Sequence, residues 1–218
     1  MQPESNEKYS IFIERLKNSI KHLPGENSHR EMAPFRMTTS EVMRTKPTVR
    51  LSAVLLLVHF QKDEIHFTLI QRQTYNGTHS GQMSLPGGKY EKTDKSLTKT
   101  ALRETMEEIG VASDEIKIIG EMSQVYIPVS KFLIHPFIGY LDHPPLIVKD
   151  EREVEKVFQV KIPDLLNQAN RIDTKIEIEK GQYLNKVPAF KLNERIVWGA
   201  TALILNEFKA MIQQDIQK

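Results

Sequence analysis

Apolar and polar residues follow two different periods along the chain, and the change of period separates the predicted elements. From about Glu7 to His22 the apolar residues recur at helical spacing, which predicts an amphipathic N-terminal helix ended by Pro24-Gly25. The segment from Glu26 to Pro47 has no clear period, and we expect a linker or a strap lying on the domain. Residues 1–47 are therefore expected to form an N-terminal helix and strap, followed by one main domain over residues 48–218.

After the strap the pattern becomes typical of strands. Leu51 to Phe60 is a short apolar run rich in branched residues, and Ile65 to Gln73 alternates, so together they predict a β-hairpin. A polar loop from Thr74 to Gly81 then leads to a brief strand around Met83 to Leu85. We expect the chain to turn at Pro86-Gly87-Gly88 and to enter a central helix.

The central helix has recognisable ends. Thr93, Asp94 or Ser96 could cap its start, and Gly110 suits the left-handed residue that often ends a helix. Its inward side is expected to be one broad arc, with the acidic residues along the edge at the rim of a cleft. The arc comprises Leu97, Ala101, Leu102, Thr105, Met106 and Ile109.

The rest of the chain alternates between short strands and two helices. Strands are predicted at Ile116–Ile119, Gln124–Ile127, Phe132–Leu141, Glu155–Ile162, Thr174–Glu179 and Ala189–Trp198. Pro163 to Gln168 indicates a short helix, and Gly199 to about Gln213 indicates an amphipathic C-terminal helix. The elements together predict a mixed β-sheet with helices packed on it.

Composition fits one globular domain and excludes several classes of function. The chain has 218 residues, a formal net charge of +2, 27% charged residues and no cysteine. These values indicate neither disorder nor a basic nucleic-acid surface, and they rule out disulfides and thiolate metal sites. The polar N-terminus does not resemble a signal peptide, and the longest apolar run, Leu51 to Val58, is too short to span a bilayer. We expect a soluble cytoplasmic protein with no nucleic-acid or membrane partner.

Three acids of the central helix, Glu104, Glu107 and Glu108, carry the candidate chemistry. Positions i, i+3 and i+4 share a helix face, so these like charges are expected to project into one small volume and to repel. Carboxylate oxygens grouped in this way suit a hard divalent cation such as Mg²⁺ or Mn²⁺, which also binds substrate phosphates. The alternative is a solvated acidic helix face without function. The Pro-Gly-Gly turn and the spacing described next favour metal-assisted chemistry on a phosphate.

The stretch around these acids resembles the signature of the Nudix hydrolases. The matching residues are Gly88, Asp94, Arg103, Glu104, Glu107, Glu108 and Gly110. Asp94 stands where the signature has its first Glu, the gap from Asp94 to Arg103 is one residue longer, and Thr105 fills an apolar position. The resemblance implies the Nudix fold, an α/β/α sandwich around a mixed β-sheet, and an enzyme that hydrolyses phosphoric anhydrides.

A second resemblance, over Thr68 to Gly88, is to the coenzyme A pyrophosphatase branch of that family. Arg72, Gly81 and Pro86-Gly87-Gly88 hold the spacing of the branch. Three positions depart from it, namely Gln73, Gly77 and Leu85. Later stretches are also similar to the branch, so the resemblance spans roughly Arg50 to Phe208 and leaves out the N-terminal helix.

The family resemblance also implies roles for single residues. Glu104 and Glu108 would ligate the divalent ions, with Glu107 as a further ligand or as the proton acceptor for the attacking water. A backbone carbonyl at Gly87 would complete the coordination of the metal. Arg103 would hold a glutamate in its ligating rotamer rather than touch the substrate.

Two further groups of polar residues have alternative interpretations. Arg72, His79 and Gln82 could bind the phosphate or nucleotide end of a ligand, or they could belong to an ordinary polar loop. A distal catalytic base could come from a later acidic stretch, for which a charged strand edge is the preferred interpretation. That stretch contains Glu151, Glu153 and Glu155.

The expected function is metal-dependent hydrolysis of the pyrophosphate bond of coenzyme A or an acyl derivative, giving 3′,5′-ADP and a 4′-phosphopantetheine product. ADP-ribose or another nucleoside diphosphate derivative is the alternative substrate. A non-catalytic, nucleotide-binding regulatory module is the alternative of another class. The apolar face of the N-terminal helix could serve a homodimer contact or cap the domain.

Overall fold

A computed structural model describes residues 3–74, 81–179 and 181–216 of the chain. Its helices are α1 (Pro3–Ser19), α2 (Glu26–Met32), α3 (Thr39–Met43), α4 (Leu97–Ile109), α5 (Ile162–Leu166) and α6 (Gly199–Ile216), with a 3-10 turn at Gln168–Asn170. Its strands are β1 (Arg50–Gln61), β2 (Glu64–Arg72), β3 (Met83–Ser84), β4 (Gly87–Lys89), β5 (Lys117–Glu121), β6 (Val125–Ile127), β7 (Phe132–Tyr140), β8 (Val154–Lys161), β9 (Arg171–Glu179), β10 (Gln182–Leu192) and β11 (Arg195–Val197).

The strands form a large mixed sheet and a smaller antiparallel one. In the large sheet β1 is central, because it pairs in parallel with β7 and antiparallel with both β2 and β4. Strands β3 and β8 add to β2, and strands β5 and β6 add to β7. The second sheet consists of β9, β10 and β11. The predicted mixed sheet is confirmed.

Successive residues of β1 face opposite sides of the large sheet, and helices cover both sides. Leu56, Val58 and Phe60 join the core that α1 and α6 build on one side. Leu55 and Leu57 join the core that α4 builds on the other. The predicted α/β/α sandwich is therefore confirmed.

The hairpin and the central helix form where the pattern predicts them. β1 turns into β2 at Lys62 and Asp63, whose φ angles of 51° and 61° suit the tight turn of a twisted hairpin. Of the three candidate caps, Ser96 caps α4, since its hydroxyl accepts a hydrogen bond from the backbone N–H of Lys99 at 3.2 Å. Gly110 ends the helix with a φ of 75°.

The segment predicted as a strap instead contains two short helices. With 7 and 5 residues, α2 and α3 each make fewer than two turns, which is too short for an apolar period to be visible. α2 packs on α6 and buries His29 and Met32. α3 begins at Thr38, which forms a reciprocal capping box with Glu41.

Three other local predictions are wrong. Gly87 and Gly88 open strand β4, paired antiparallel with β1, rather than lying in a turn. Met106, placed on the inward arc of α4, has 54% of its surface exposed. Ala189–Trp198 is not one strand, because Asn193 and Glu194 adopt positive φ angles of 47° and 60° and turn the chain between β10 and β11.

Helix α1 shares the core of the main domain. Tyr9, Ile13 and Leu16 are buried in it. The Tyr9 hydroxyl lies within hydrogen-bond distance of the carbonyl oxygens of Leu141, at 2.8 Å, and Val58, at 3.2 Å. α1 therefore covers one face of the sheet. Within the described ranges, no helix combines the length and apolar character needed to cross a membrane.

Candidate active site

Strand β4 brings two glycines against the acidic helix α4. A Cβ atom on Gly87 would stand 2.5 Å from the Cα of Val54, and a Cβ atom on Gly88 would stand 2.5 Å from Glu104 Oε1. Both separations are far below van der Waals contact. Glycine at position 87 therefore allows this backbone to pair closely with β1, and glycine at position 88 allows the Glu104 carboxyl group to contact the backbone directly.

Glu108 is the most enclosed acid of α4, with 1% of its side chain exposed. Its Oε2 accepts a hydrogen bond from the backbone N–H of Gly87 at 2.8 Å, and its Oε1 lies 3.4 Å from Nη1 of Arg72. Burial raises the pKa of this carboxyl to about 8, although the Gly87 hydrogen bond and the Arg72 charge act in the opposite direction. A cation bound beside Glu108 would stabilise the ionised carboxylate.

Glu104 lies one helical turn before Glu108 and is also partly enclosed, with 14% of its side chain exposed. Its Oε1 lies 3.0 Å from Nη1 of Arg103. Burial raises the pKa of Glu104, and the Arg103 charge offsets part of that effect. Glu104 and Glu108 are thus two carboxyl groups in a place where burial disfavours their ionised form.

Asp94 holds the Arg103 guanidinium from the side opposite the helix acids. Arg103 donates from Nε to Oδ1 at 2.9 Å and from Nη2 to Oδ2 at 3.0 Å, which is a bidentate pair. The Arg103 guanidinium holds the pKa of the Asp94 carboxyl well below its usual range. From the sequence, Asp94 is only a candidate helix cap and a departure from the signature. Its place at a signature position was the signal that could have identified this role.

Glu107 lies on the outer flank of the helix, with 57% of its side chain exposed and its Oε2 2.7 Å from Nη1 of Arg103. Glu107 and Glu104 both contact Arg103 Nη1, at 2.7 Å and 3.0 Å, so these two acids lie near each other. The expectation that all three acids project into one volume is not met, because Glu107 is rotated by about 100° around the helix from the enclosed Glu108. In the part of the chain that the structure describes, no three carboxylate or imidazole side chains are grouped to hold a metal ion. Metal binding by Glu104, Glu107 and Glu108 stays a prediction.

The chemistry of the donors nevertheless fits a divalent ion. Glu104 and Glu108 offer hard carboxylate oxygens, and the adjacent β4 backbone offers carbonyl oxygens, which are the ligands that Mg²⁺ and Mn²⁺ prefer. The missing Cβ of Gly88 is what allows the Glu104 carboxyl group to lie on that backbone. Coordination by the Gly87 carbonyl stays a prediction.

Arg72 is the last residue of β2, and its side chain reaches the acidic helix α4. Its side chain, 29% exposed, lies beside Glu108, and its backbone N–H donates to the Gln82 carbonyl at 3.1 Å. Gln82 is half-buried and has partners of its own. His79 lies outside the described residues. Contact of Arg72 and Gln82 with a substrate stays a prediction.

Among the later acids, Glu153 is the one whose charge acts on the site. Burial is the main cause that raises the pKa of Glu104 and Glu108, and the charge of Glu153 is a smaller cause that raises both pKa values further. Gln73 holds the turn that carries Glu153: its backbone N–H donates to the Glu153 carbonyl at 2.9 Å, and its side-chain Nε2 donates to the Glu151 carbonyl at 2.7 Å. From the sequence, Gln73 is only a departure from the branch, and this contact is not predicted.

The chain is similar to known proteins over most of its length. It matches the family model of the NUDIX domain over residues 49–178. The Nudix hydrolase NudL of Photorhabdus laumondii is 26% identical over 172 residues, which cover 77% of this chain and 90% of the relative. The human mitochondrial coenzyme A diphosphatase NUDT8 is 35% identical over 130 residues, which cover 59% of this chain and 54% of that protein.

One solved structure supports the fold in particular. The MutT protein from Methanosarcina mazei Go1 superposes with a TM-score of 0.50 at 18% identity, covering 79% of this chain and 99% of that one. The family model spans more than half of the chain and includes Gly87, Gly88 and all of α4. The chain therefore belongs to the Nudix family and is a pyrophosphohydrolase.

Proposed function

We propose that the chain hydrolyses the pyrophosphate bond of coenzyme A or of an acyl derivative. Two observations support this choice of substrate. The element around Arg72, Gly81 and Pro86-Gly87-Gly88 resembles the coenzyme A pyrophosphatase branch, and NUDT8, a coenzyme A diphosphatase by name, is 35% identical over 130 residues.

The observation that carries the proposal is the contact between Arg72 and Glu108, 3.4 Å between Nη1 and Oε1. Arg72 belongs to the branch element, and Glu108 belongs to the Nudix signature. Guanidinium groups recognise phosphates through paired hydrogen bonds. The contact supports the proposal that Arg72, a residue of the branch element, binds a substrate phosphate beside α4.

The cofactor of the proposed reaction is Mg²⁺ or Mn²⁺, which Glu104 and Glu108 would hold, with Glu107 and the Gly87 carbonyl as further candidate ligands. Bound there, a divalent ion neutralises the pyrophosphate and makes water a better nucleophile at neutral pH. Arg103, fixed by Asp94, keeps the Glu104 carboxylate in place through the contact at 3.0 Å.

In the reaction, the oxygen of a water molecule forms a bond to one phosphorus of the pyrophosphate, and the bond from that phosphorus to the bridging oxygen breaks. One product is 3′,5′-ADP and the other is 4′-phosphopantetheine or its acyl derivative. The water proton goes to a carboxylate, for which Glu107 and Glu153 are the candidates. Glu107 is exposed and accepts a hydrogen bond only from Arg103 among the described residues, whereas the charge of Glu153 acts on both enclosed acids.

A substrate panel tests the proposal. The full chain is incubated with Mg²⁺ or Mn²⁺ and either coenzyme A, an acyl-coenzyme A, ADP-ribose or a nucleoside triphosphate, and the products are identified by mass spectrometry. We expect 3′,5′-ADP and the pantetheine phosphate in equal amounts from coenzyme A. Turnover of ADP-ribose with coenzyme A untouched would show that the branch assignment is wrong. Nucleotide binding without turnover of any substrate would indicate a regulatory module.

A further inference from the structure

An open cavity of about 330 Å³ lies on the face of the large sheet opposite α4. It is enclosed by α1, the β1–β2 hairpin, α5 and α6. Its apolar lining consists of Phe12, Leu16, Phe60, Ile65, Ile162, Pro163, Leu166 and Ile212. Its charged lining consists of Lys8, Arg15, Asp63 and Glu64. The volume falls in the range of small-molecule sites.

The cavity is separate from the hydrolytic site. Leu16, Phe60 and Ile212 belong to the core on the α1 and α6 side of the sheet. Glu104 and Glu108 are carried by α4 on the other side, where Leu55 and Leu57 point. The sheet therefore lies between the two, and a molecule in the cavity cannot have its reacting phosphate at α4.

Two cations on one face of α1 lie at the mouth of the cavity without partners. Lys8, Phe12 and Arg15 are at positions i, i+4 and i+7, which point in one direction from a helix. Within the described ranges, neither Lys8 nor Arg15 has a hydrogen-bond or ion-pair partner, whereas Glu64 pairs with Lys161 and Asp63 is engaged in an interaction of its own. Lys8 and Arg15 are therefore the charged lining groups that are available to an anionic group of a ligand.

The lining selects the chemistry of a ligand. The interior offers only hydrocarbon and aromatic surface, so a nucleotide or a sugar bound there would lose the hydrogen bonds of its polar groups to water. A flexible hydrocarbon chain has no hydrogen bonds to water to lose, and an anionic group at its end would lie beside the cations of Lys8 and Arg15. We propose that this cavity binds a fatty carboxylate, with its chain between α1, α5 and α6 and its head group at Lys8 and Arg15.

Calorimetric titration with octanoate, decanoate and dodecanoate, each below its micelle concentration, tests the proposal on the full chain. We expect the affinity to rise by about fourfold per added methylene, the factor that corresponds to burial of one CH₂ group. Dodecyltrimethylammonium has the same chain and the opposite charge. It should bind at least about tenfold more weakly than dodecanoate. An affinity that does not depend on chain length, or equal binding of the cationic analogue, would overturn the proposal.

Variants locate the binding. The double substitution Lys8→Glu and Arg15→Glu should lower the affinity for dodecanoate by at least tenfold, about the effect of replacing two attractive charges with repulsive ones. Ile65→Trp should also weaken it by filling the cavity. Lys21→Glu is the matched control, because Lys21 lies beyond the end of α1 and contacts Asn18 outside the cavity. Circular dichroism verifies that each variant is folded.

Two outcomes of the variant series would contradict the site. Undiminished dodecanoate binding by the folded double variant, or by a folded Ile65→Trp variant, would place the ligand elsewhere. The same surface could instead contact an anionic membrane. Binding to phosphatidylglycerol vesicles that depends on Lys8 and Arg15, without binding of monomeric dodecanoate, would show that this second reading is correct and the fatty carboxylate site is not.

Discussion

Arg103 is joined to Asp94 by two parallel hydrogen bonds, at 2.9 Å from Nε to Oδ1 and at 3.0 Å from Nη2 to Oδ2. The same guanidinium contacts Glu104 and Glu107 through Nη1, at 3.0 Å and 2.7 Å. Asp94 precedes α4 and the other residues are carried by it. The pair therefore ties the start of the helix to the acids in its middle, and it orients Arg103 relative to them.

Replacement of Asp94 by Asn tests this tie. The asparagine amide keeps one acceptor oxygen for Arg103, but it replaces the second oxygen with an N–H donor and removes the negative charge. Arg103 should then be less firmly oriented, and so should Glu104, which Arg103 contacts. We expect kcat/KM to fall by roughly ten- to hundredfold, as it does when residues that orient metal ligands are lost. Asp94→Glu restores the charge and should recover most of the activity. Equal activity of Asp94→Asn and the unmodified chain, measured across a Mg²⁺ series, would contradict the role.

The two glycines of β4 should respond differently to alanine. At Gly88 the new Cβ meets only the end of the Glu104 side chain, which can move. Stability should change little, while kcat should fall by roughly a hundredfold, since a displaced catalytic group costs about that much. At Gly87 the new Cβ meets the backbone of β1, so the free energy of unfolding should fall by about 1–3 kcal/mol or more.

Urea unfolding and steady-state kinetics of both alanine variants measure the difference. A Gly88→Ala variant that loses stability as much as Gly87→Ala would mean that the clash is with the scaffold and not with Glu104. A fully active Gly88→Ala variant would show that the position of Glu104 on β4 is unimportant for the reaction.

The buried His59 should make the free energy of unfolding depend on pH. Burial lowers the pKa of His59 to about 4, and its Nε2 lies 2.6 Å from Oε1 of Gln159. A histidine in the unfolded chain has a pKa of about 6.5, so between pH 4 and that pKa the unfolded state binds more protons than the folded state. The contribution of neutral His59 is fully present above that range and is lost as the pH falls through it.

From these pKa values, stability should decrease by about 2 kcal/mol between pH 7 and pH 5 through His59 alone. The raised pKa of Glu108 acts in the opposite direction over this range, so the test is a difference between proteins. On going from pH 7 to pH 5, the change in the free energy of unfolding should be less favourable by about 2 kcal/mol in the unmodified chain than in His59→Gln. His143→Gln is the matched control, because His143 is 54% exposed on its side chain. If both variants keep the full pH dependence, His59 is not its source.

Much of the fold could be predicted because its signals are local. Branched apolar runs give β1 and β2, a serine cap and a closing glycine give the limits of α4, and periodicity gives α6. Helices α2 and α3 could not be predicted, since neither is long enough to show a period. Their places are set by packing on α6 and by the capping box at Thr38, which depend on the folded chain.

The site was predictable as a set of residue types but not as a geometry. The signature identifies Glu108, yet only the folded chain shows that Glu108 accepts a hydrogen bond from Gly87, 21 residues earlier. The outward position of Glu107 follows from its rotation of about 100° around the helix from Glu108, which the shared-face argument does not consider. Gln73 reaches across to the turn at residues 151–153, a contact between distant parts of the sequence that no local pattern encodes.

Hydrolysis of coenzyme A by the unmodified chain and by Glu108→Gln, compared at saturating Mg²⁺, tests the central claim most directly. Glu115→Gln is the matched control, because the Glu115 side chain is 45% exposed and pairs with His143 rather than with a residue of the site. We predict 3′,5′-ADP from the unmodified chain and from the control, and a rate at least roughly a hundredfold lower from folded Glu108→Gln. Release of 3′,5′-ADP by Glu108→Gln at the unmodified rate would contradict the account.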